Sequence, residues 1–215
     1  MDKETKEIIS IILLIFFPIV LFFASFLLGR YPISPIDVVN TILSPIFPQL
    51  EVNPTITTIV YEIRLPRIIG AIVVGACLAI SGAAFQSIFK NPLVSSDLLG
   101  VSNGAGFGAA LAILISGANI ITQIFAFIFG LISVSATYLI SKTYKAGGIL
   151  VLVLSGVAIS AFFNALISAI KFIADPDDKL PEIVYWLMGS LASINMDKLL
   201  LIAVPVICVL KLLRS

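Results

Sequence analysis

The chain has 215 residues, of which 60% are hydrophobic and only 12% are charged. Soluble globular domains carry about 25% charged residues, so this chain has too few to cover a surface in water. Its mean hydropathy of +1.15 and its repeated apolar stretches of about 18 residues or more indicate an integral membrane protein. The net charge of +1 gives no indication of nucleic-acid binding.

The composition also argues against catalytic and metal sites. There is no histidine, which removes the commonest general base and metal ligand. Cys77 and Cys208 each lie in an apolar run without metal-ligand spacing, so neither a metal site nor a disulfide is expected. The sequence contains no serine-hydrolase or metalloprotease motif. It also lacks a P-loop, so any ATP has to be bound by another polypeptide, and no cofactor is expected on this chain.

Six apolar stretches predict an all-α, polytopic helical bundle in the membrane. In chain order they cover residues 8–28, 68–89, 98–116, 119–140, 149–173 and 199–213. The first is longer than the apolar core of a typical signal peptide and no cleavage motif follows it, so we expect it to be retained.

The segment between the first two stretches contains five prolines, from Pro32 to Pro54. These exclude a continuous helix. Ser34 and Pro35 have the residue types of an N-cap and a first helical position. We therefore predict a short amphipathic helix over residues 36–43 at the membrane surface.

The distribution of Lys and Arg residues predicts the orientation of the chain in the membrane. With the N-terminus inside, seven Lys and Arg residues fall on the cytoplasmic side and six on the outer side, a small bias. The loop 141–145 is basic and has no acidic residue, which favours the cytoplasmic side. We predict a cytoplasmic N-terminus in a multi-pass protein of the cytoplasmic membrane.

Small residues recur at four-residue spacing on two of the predicted helices, which lets helix backbones approach closely in lipid. We therefore predict that the second helix lies deep in the bundle. The stripes are Ala71, Gly75, Ala79 and Ala83 on the second helix, and Gly104, Gly108 and Ala112 on the third. The glycines at 100, 104, 106 and 108 lack the strand–helix context of a nucleotide fingerprint. They favour helix packing or an unwound helix start instead.

No Asp, Glu, Lys or Arg falls in the middle of a predicted span. Ion-coupled carriers generally need such groups, so their absence argues against a carrier that energises itself. Arg64 and Arg67 belong at an interface, because an arginine at the bilayer centre costs about 2.5–3.5 kcal/mol on insertion scales. They are either anchors of a helix end or a docking point for the carboxylates of an external partner.

Four short motifs follow one another between residues 64 and 105. They are RLPR at 64–67, LAISGAAFQ at 78–86, NPL at 91–93 and LGVSNGA at 99–105. In order and spacing they closely resemble the permeases of type II ABC importers for iron-siderophores and vitamin B12, the FecCD family. The segments LSGVA at 154–158 and YWLMGSL at 185–191 extend the resemblance over nearly all of the chain from residue 29 onward.

By analogy, the resemblance implies a dimer of permease subunits with about ten helices each. It also implies a cytoplasmic ATP-binding subunit that drives transport and an extracytoplasmic substrate-binding protein that delivers the chelate. Arg64 and Arg67 match the outward-facing arginines that meet acidic residues of the binding protein. Residues matching the cytoplasmic gate and the pathway are Gly147, Gly148, Ile149, Leu150 and Asn164.

The chain ends just after the sixth predicted span, so relative to the family we expect the coupling loop and the later helices to be missing. The favoured interpretation is a single permease domain over residues 1–215 for an iron-siderophore or a related chelate such as cobalamin or heme. One alternative is a non-transporting remnant that only associates with other importer subunits. A stand-alone channel or carrier is a third interpretation, and the sequence does not specify the chelate.

Overall fold

The structure is a computed structural model that describes residues 3–92, 95, 97–118, 120–143, 148–196 and 198–199. Over these residues all regular structure is helical, which confirms the predicted fold class. A π-helical turn (Ile59–Arg64) and a 3-10 turn (Asp97–Leu99) accompany the α-helices. These are α1 (Lys3–Ser25), α2 (Pro35–Leu43), α3 (Pro54–Thr58), α4 (Leu65–Phe89), α5 (Val101–Ser116), α6 (Ile120–Thr143), α7 (Gly148–Ile173) and α8 (Lys179–Met188).

Four of the predicted spans correspond to helical stretches that are long and apolar enough to cross a bilayer. They are Glu7–Ser25, Pro54–Phe89, Ile120–Thr143 and Ile149–Ile173. The third predicted span corresponds to α5, which is apolar but has only 16 residues. The sixth, over residues 199–213, lies outside the described residues except for Leu199.

Contacts divide the chain into two compact units. One combines Met1–Gly75 with Leu191–Ser215, and the other is Ala76–Ser190, so that the boundary falls inside α4. This division does not test the single permease domain expected over residues 1–215, which stays a prediction.

The second predicted span begins earlier than expected. The sequence predicts a start at residue 68, after Pro66, whereas the helix begins at Pro54 and continues through Pro66. The Asn53 side chain caps the start by accepting a hydrogen bond from the Thr55 N–H at 2.9 Å, and Pro54 suits a first helical position. The π-helical turn before Pro66 explains the continuity and is described with the candidate site.

The third predicted span begins later than expected, at Val101 rather than at residue 98. Gly100 has a φ of +77°, a left-handed conformation that glycine adopts without steric cost. This residue separates the 3-10 turn from α5. The observation confirms the unwound helix start that the glycine cluster favoured.

The first unit is built around the end of α1 and the amphipathic helix α2. Ser34 caps α2, as predicted, by accepting from the Asp37 N–H at 3.4 Å. Phe26, Val38 and Val60 are buried together in one apolar cluster. The cluster therefore joins the end of α1, α2 and the π-helical turn.

In the second unit, α5 packs against α6, α7 and α8. The backbone of α6 approaches α5 closely at two glycines. A Cβ on Gly104 would lie 2.6 Å from the carbonyl oxygen of Phe129, and one on Gly108 would overlap the carbonyl of Phe125. Ile183 of α8 is fully buried against the other side of α5.

The small-residue stripe of α4 is not packed within the described residues. Ala71, Gly75, Ala79 and Ala83 are all exposed, and a Cβ on Gly75 would meet no atom within 4 Å. The described residues leave this face uncovered, and the expectation that the second span lies deep in the bundle stays a prediction. Small-residue spacing shows that a helix face can be approached closely, but it does not show which helix approaches it.

We predict that Gly108→Ala destabilises the second unit and that Gly75→Ala does not. Overpacking costs about 1–3 kcal/mol and outweighs the roughly 1 kcal/mol that alanine gains over glycine in a helix. At Gly75 an added Cβ meets no atom within 4 Å, so only the gain in helix stability applies. Thermal unfolding of the full chain in mild detergent, followed by the fluorescence of its single tryptophan, Trp186, measures the difference. Equal melting temperatures for the two variants would contradict the prediction.

Candidate functional site at the start of α4 and the start of α5

The motif at residues 64–67 lies where the π-helical turn passes into α4. The Leu65 N–H donates to the carbonyl of Val60, five residues back instead of four. Pro66 comes next, has no N–H, and in a regular helix its ring clashes with the carbonyl four residues back. Single π-helical turns are frequent at functional sites. Here the wider turn lets the helix continue through Pro66, so both arginines lie on one unbroken helix.

Arg64 is nearly buried, with 7% of its surface exposed. Its Nη1 donates to the carbonyl of Phe26 and its Nη2 donates to the carbonyl of Tyr31. Phe26 directly follows the last residue of α1, and carbonyls at a helix C-terminus attract cations. A hydrogen bond to a charged group contributes about 1.5–3 kcal/mol. The guanidinium group therefore ties the π-helical turn to the connection between α1 and α2.

Gly29 lies directly against the Arg64 guanidinium group. A Cβ at this position would be 2.8 Å from Nη2 and 3.2 Å from Cζ of Arg64. Among the described residues, no carboxylate forms an ion pair with Arg64. Within the described part of the chain its charged hydrogen bonds go to backbone carbonyls, and a side chain at position 29 would require the guanidinium group to shift.

Arg67 has a different environment, because its side chain is exposed. Its Nη2 donates to the carbonyl of Ala192 at 2.8 Å. The side chain also borders a cavity of about 410 Å³ between α1 and the first turns of α4. Apolar side chains, including Phe22 and Ile68, line this cavity. An exposed guanidinium group on a rigid helix can present its donors to a carboxylate.

The segment after α8 packs on the same part of α4. A Cβ on Gly70 would lie 2.8 Å from Cδ1 of Ile194. Together with the bond from Arg67 to Ala192, this contact holds residues 192–194 against the first turns of α4. The contact between Gly70 and Ile194 could not be predicted from the sequence, because the two positions are more than a hundred residues apart and share no motif.

Four of the five predicted gate and pathway residues lie in α7, at two places along it. Gly147 lies outside the described residues, and Gly148 is the first residue of α7. Ile149 and Leu150 are exposed in its first turn, and Asn164 is exposed further along the same helix. At 1.5 Å per residue, Asn164 lies roughly 20 Å from Leu150 along the axis. The role of these residues in a gate or pathway stays a prediction.

The start of α5 is held by two buried hydroxyl groups of α6. Ser133 Oγ donates to the carbonyl of Gly100 at 2.7 Å, and Thr137 Oγ1 donates to the carbonyl of Leu99 at 2.9 Å. Both side chains are completely buried. Polar backbone groups outside a helix need a partner inside protein at membrane depth. Thr137 supplies a partner for the carbonyl of Leu99, and Ser133 gives the carbonyl of Gly100 a second donor beside the Gly104 N–H, which lies 3.0 Å from it.

Comparison with known proteins connects this geometry to a family. A sequence model of the FecCD transport family matches residues 14–215. The chain belongs to that family. The match includes every element from most of α1 onward, and therefore both the arginine motif and the start of α5.

Individual relatives agree with this assignment. The molybdate import system permease protein MolB of Haemophilus influenzae is 38% identical over 190 residues, which cover 87% of this chain and 56% of that protein. A probable iron chelatin transport system permease protein of Helicobacter pylori is 49% identical over 138 residues, which cover 64% of this chain and 41% of that protein. The FecCD chain thus spans about half the length of the curated relatives it matches.

A solved structure of a metal-chelate type ABC transporter in an inward-facing conformation is similar to the FecCD chain. The TM-score is 0.72 at 34% sequence identity, and the match covers 89% of this chain and 56% of that one. The helical fold of the chain is therefore similar to that of the matched part of this transporter.

We predict that Thr137→Val destabilises the FecCD chain and loosens the start of α5, because the buried carbonyl of Leu99 loses its donor. An unsatisfied buried carbonyl costs about 1–3 kcal/mol. Thr143→Val is the matched control, since the Thr143 side chain is exposed and donates to the carbonyl of Leu139 in its own helix. Hydrogen exchange of residues 97–102 and thermal unfolding measure the effect. Similar exchange rates in both variants would show that the hydroxyl group of Thr137 is dispensable.

Proposed function

We propose that the chain is a membrane-spanning permease subunit of an ABC importer in the cytoplasmic membrane. The observation that carries this proposal is the family match over residues 14–215. The apolar helices of membrane length support it, as does the similarity to a metal-chelate type transporter. The proposed cargo is an iron-siderophore or a related metal chelate such as cobalamin or heme, although one relative carries the name of a molybdate permease.

In this proposal the energy comes from a separate cytoplasmic ATP-binding subunit, since the sequence has no P-loop. The charged residues at the start of the long helix are compatible with the membrane. The helix from Pro54 to Phe89 has 36 residues, about 54 Å at 1.5 Å per residue. The hydrocarbon core is about 30 Å thick, so the uncharged part from residue 68 to residue 89 is long enough to cross it.

We propose further that the face with Arg67 docks an extracytoplasmic substrate-binding protein, and that the N-terminus is cytoplasmic. The exposure of Arg67 on the first turn of α4 supports the docking role. The exposed apolar surfaces of α1 and α4 suit contact with lipid and with a second permease subunit.

Uptake into proteoliposomes tests the proposed function. The chain is reconstituted with the ATP-binding subunit, the permease partner and the substrate-binding protein encoded with it. Radiolabelled ferric siderophore, cobalamin, heme and molybdate are then offered separately. We expect uptake of one of these that requires both ATP and the binding protein. Uptake without ATP would indicate a channel or carrier, and failure to take up any of them would favour a non-transporting remnant.

For docking, we predict that Arg67→Glu weakens the affinity for the binding protein by about tenfold or more, because a like charge then faces the acidic residues of the partner. Salt screening predicts a smaller loss at high ionic strength. Lys142→Glu is the control, because the proposed orientation puts Lys142 on the opposite side of the membrane. Titration of the labelled binding protein onto the reconstituted importer measures both. An equal loss in the two variants would argue against docking at Arg67.

A further inference from the structure

The cavity between α1 and α4 is polar at one end and apolar along the rest of its length. Its volume of about 410 Å³ lies within the range of about 300–1,000 Å³ that is typical of ligand pockets. Ser25 and Arg67 line the polar end, and Pro18, Leu21 and Ile72 line the apolar part. None of the described residues that line it is acidic. A matching ligand has an anionic group at one end and a hydrocarbon tail.

We propose that this cavity binds one anionic phospholipid, with an acyl chain between α1 and α4 and the phosphate group at Arg67. Such a site requires only this chain in a membrane and does not depend on the proposed function.

The packing at the end of α1 places Arg67 at the level of the lipid headgroups. Leu65 and Ile68 of α4 pack against the apolar cluster that contains Phe26, the residue directly after α1. Arg67 therefore lies beside the end of a helix that is long and apolar enough to cross the bilayer. The polar headgroups begin where the hydrocarbon core ends, so a phosphate group and this guanidinium group share one depth.

Arg67 has donors for a phosphate group. A guanidinium group is a planar fork with five N–H donors, and it binds phosphate through two parallel hydrogen bonds. Nη2 donates to the carbonyl of Ala192 at 2.8 Å, and no described carboxylate forms an ion pair with Arg67. The bond to Ala192 therefore leaves donors for a lipid phosphate and also for a partner that docks from outside.

The apolar path for the acyl chain continues along α1. A second cavity, of about 340 Å³, is lined by Leu13, Leu14, Phe17 and Pro18, and the two cavities share Pro18. From Ser25 to Leu13 the helix rises by about 18 Å. One leaflet of the hydrocarbon core measures about 15 Å, half of its total thickness. An acyl chain that starts at the polar end can therefore follow α1 through one leaflet.

A helix fits the first cavity less well than an acyl chain does. The chain spans about half the length of the curated relatives it matches, so a helix from the rest of such a protein is the other candidate occupant. Between Pro18 and Ser25 a helix about 10 Å across and about 10 Å long would fill roughly 800 Å³. That is about twice the 410 Å³ of the cavity. A chain of methylene groups is much narrower than a helix.

Lipid titration of the full chain tests the headgroup contact. Native mass spectrometry from mild detergent measures the Kd for phosphatidylglycerol and for phosphatidylcholine with the same acyl chains. We expect phosphatidylglycerol to bind about fivefold more tightly, because a cationic side chain near the membrane surface attracts an anionic lipid to about that extent. Arg67→Gln should abolish the preference. Arg30→Gln should keep it, since the exposed Arg30 does not line the cavity. Equal Kd values in the unmodified chain, or an unchanged preference in Arg67→Gln, would overturn the proposal.

Two alanine variants test the acyl-chain site without changing a charge. Ala71 lines the cavity, whereas Ala79, about two turns further along α4, is also exposed but does not line it. We expect Ala71→Leu to weaken the binding of both lipids by about fivefold or more, because the added side chain overpacks the occupied cavity. Ala79→Leu should leave binding unchanged. Both variants keep Arg67, so they separate lipid binding from docking. Equal Kd values in the two variants would contradict an acyl chain in this cavity.

Photocrosslinking locates the lipid in a membrane. The full chain in nanodiscs is irradiated with phosphatidylglycerol that carries a diazirine in one acyl chain, and peptide mass spectrometry identifies the labelled residues. We expect the label to concentrate on residues 13–25 and 68–72. Equal labelling of other exposed apolar surfaces, such as that of α6, would show bulk lipid only and would overturn the proposal. Loss of the label from residues 13–25 and 68–72 in the reconstituted importer would show that protein covers the cavity, with the same consequence.

Discussion

The described structure depends on one constraint. Because the chain has so little polar surface, backbone carbonyls outside a helix need a hydrogen-bond donor from the protein. The chain meets it with side chains at two places. Arg64 donates to carbonyls of the connection between α1 and α2. Ser133 and Thr137 donate to the carbonyls that precede α5. In both places a buried polar side chain follows from an interruption in the backbone, since unpaired polar groups are costly away from water.

Proline and glycine do not act in this chain in the way that their positions in the sequence indicate. Pro66 ends a helix in most contexts, yet here the π-helical turn widens the backbone before it and the helix continues. Gly100 lies within a motif whose residues otherwise favour helix, and its left-handed conformation separates the 3-10 turn from α5. The effect of either residue therefore depends on the turn that precedes it and on the side chains that reach the freed carbonyls.

Much of the fold could be predicted because local signals determine it. Apolar length identified α1, α6 and α7, and the pair Ser34 and Pro35 identified the start of α2. The motifs indicated the FecCD family, which the match over residues 14–215 confirms. The partners of Arg64 could not be predicted, because its acceptors are backbone carbonyls and any residue type supplies those. Gly29 could have been noticed as a glycine beside a run of turn residues, but its contact with Arg64 depends on tertiary packing alone.

Similar sequence patterns also lead to different environments, as two comparisons show. The glycines of α5 and the glycine of α4 share four-residue spacing of small residues, yet Gly108 lies against the backbone of α6 whereas Gly75 meets no atom within 4 Å. Arg64 and Arg67 share one motif, yet one is buried among carbonyls and the other is exposed. In each comparison the spacing limits which face of the helix a residue occupies, and the neighbouring segment determines its environment. A motif in this chain therefore identifies a place in the fold more reliably than it identifies the role of each residue within it.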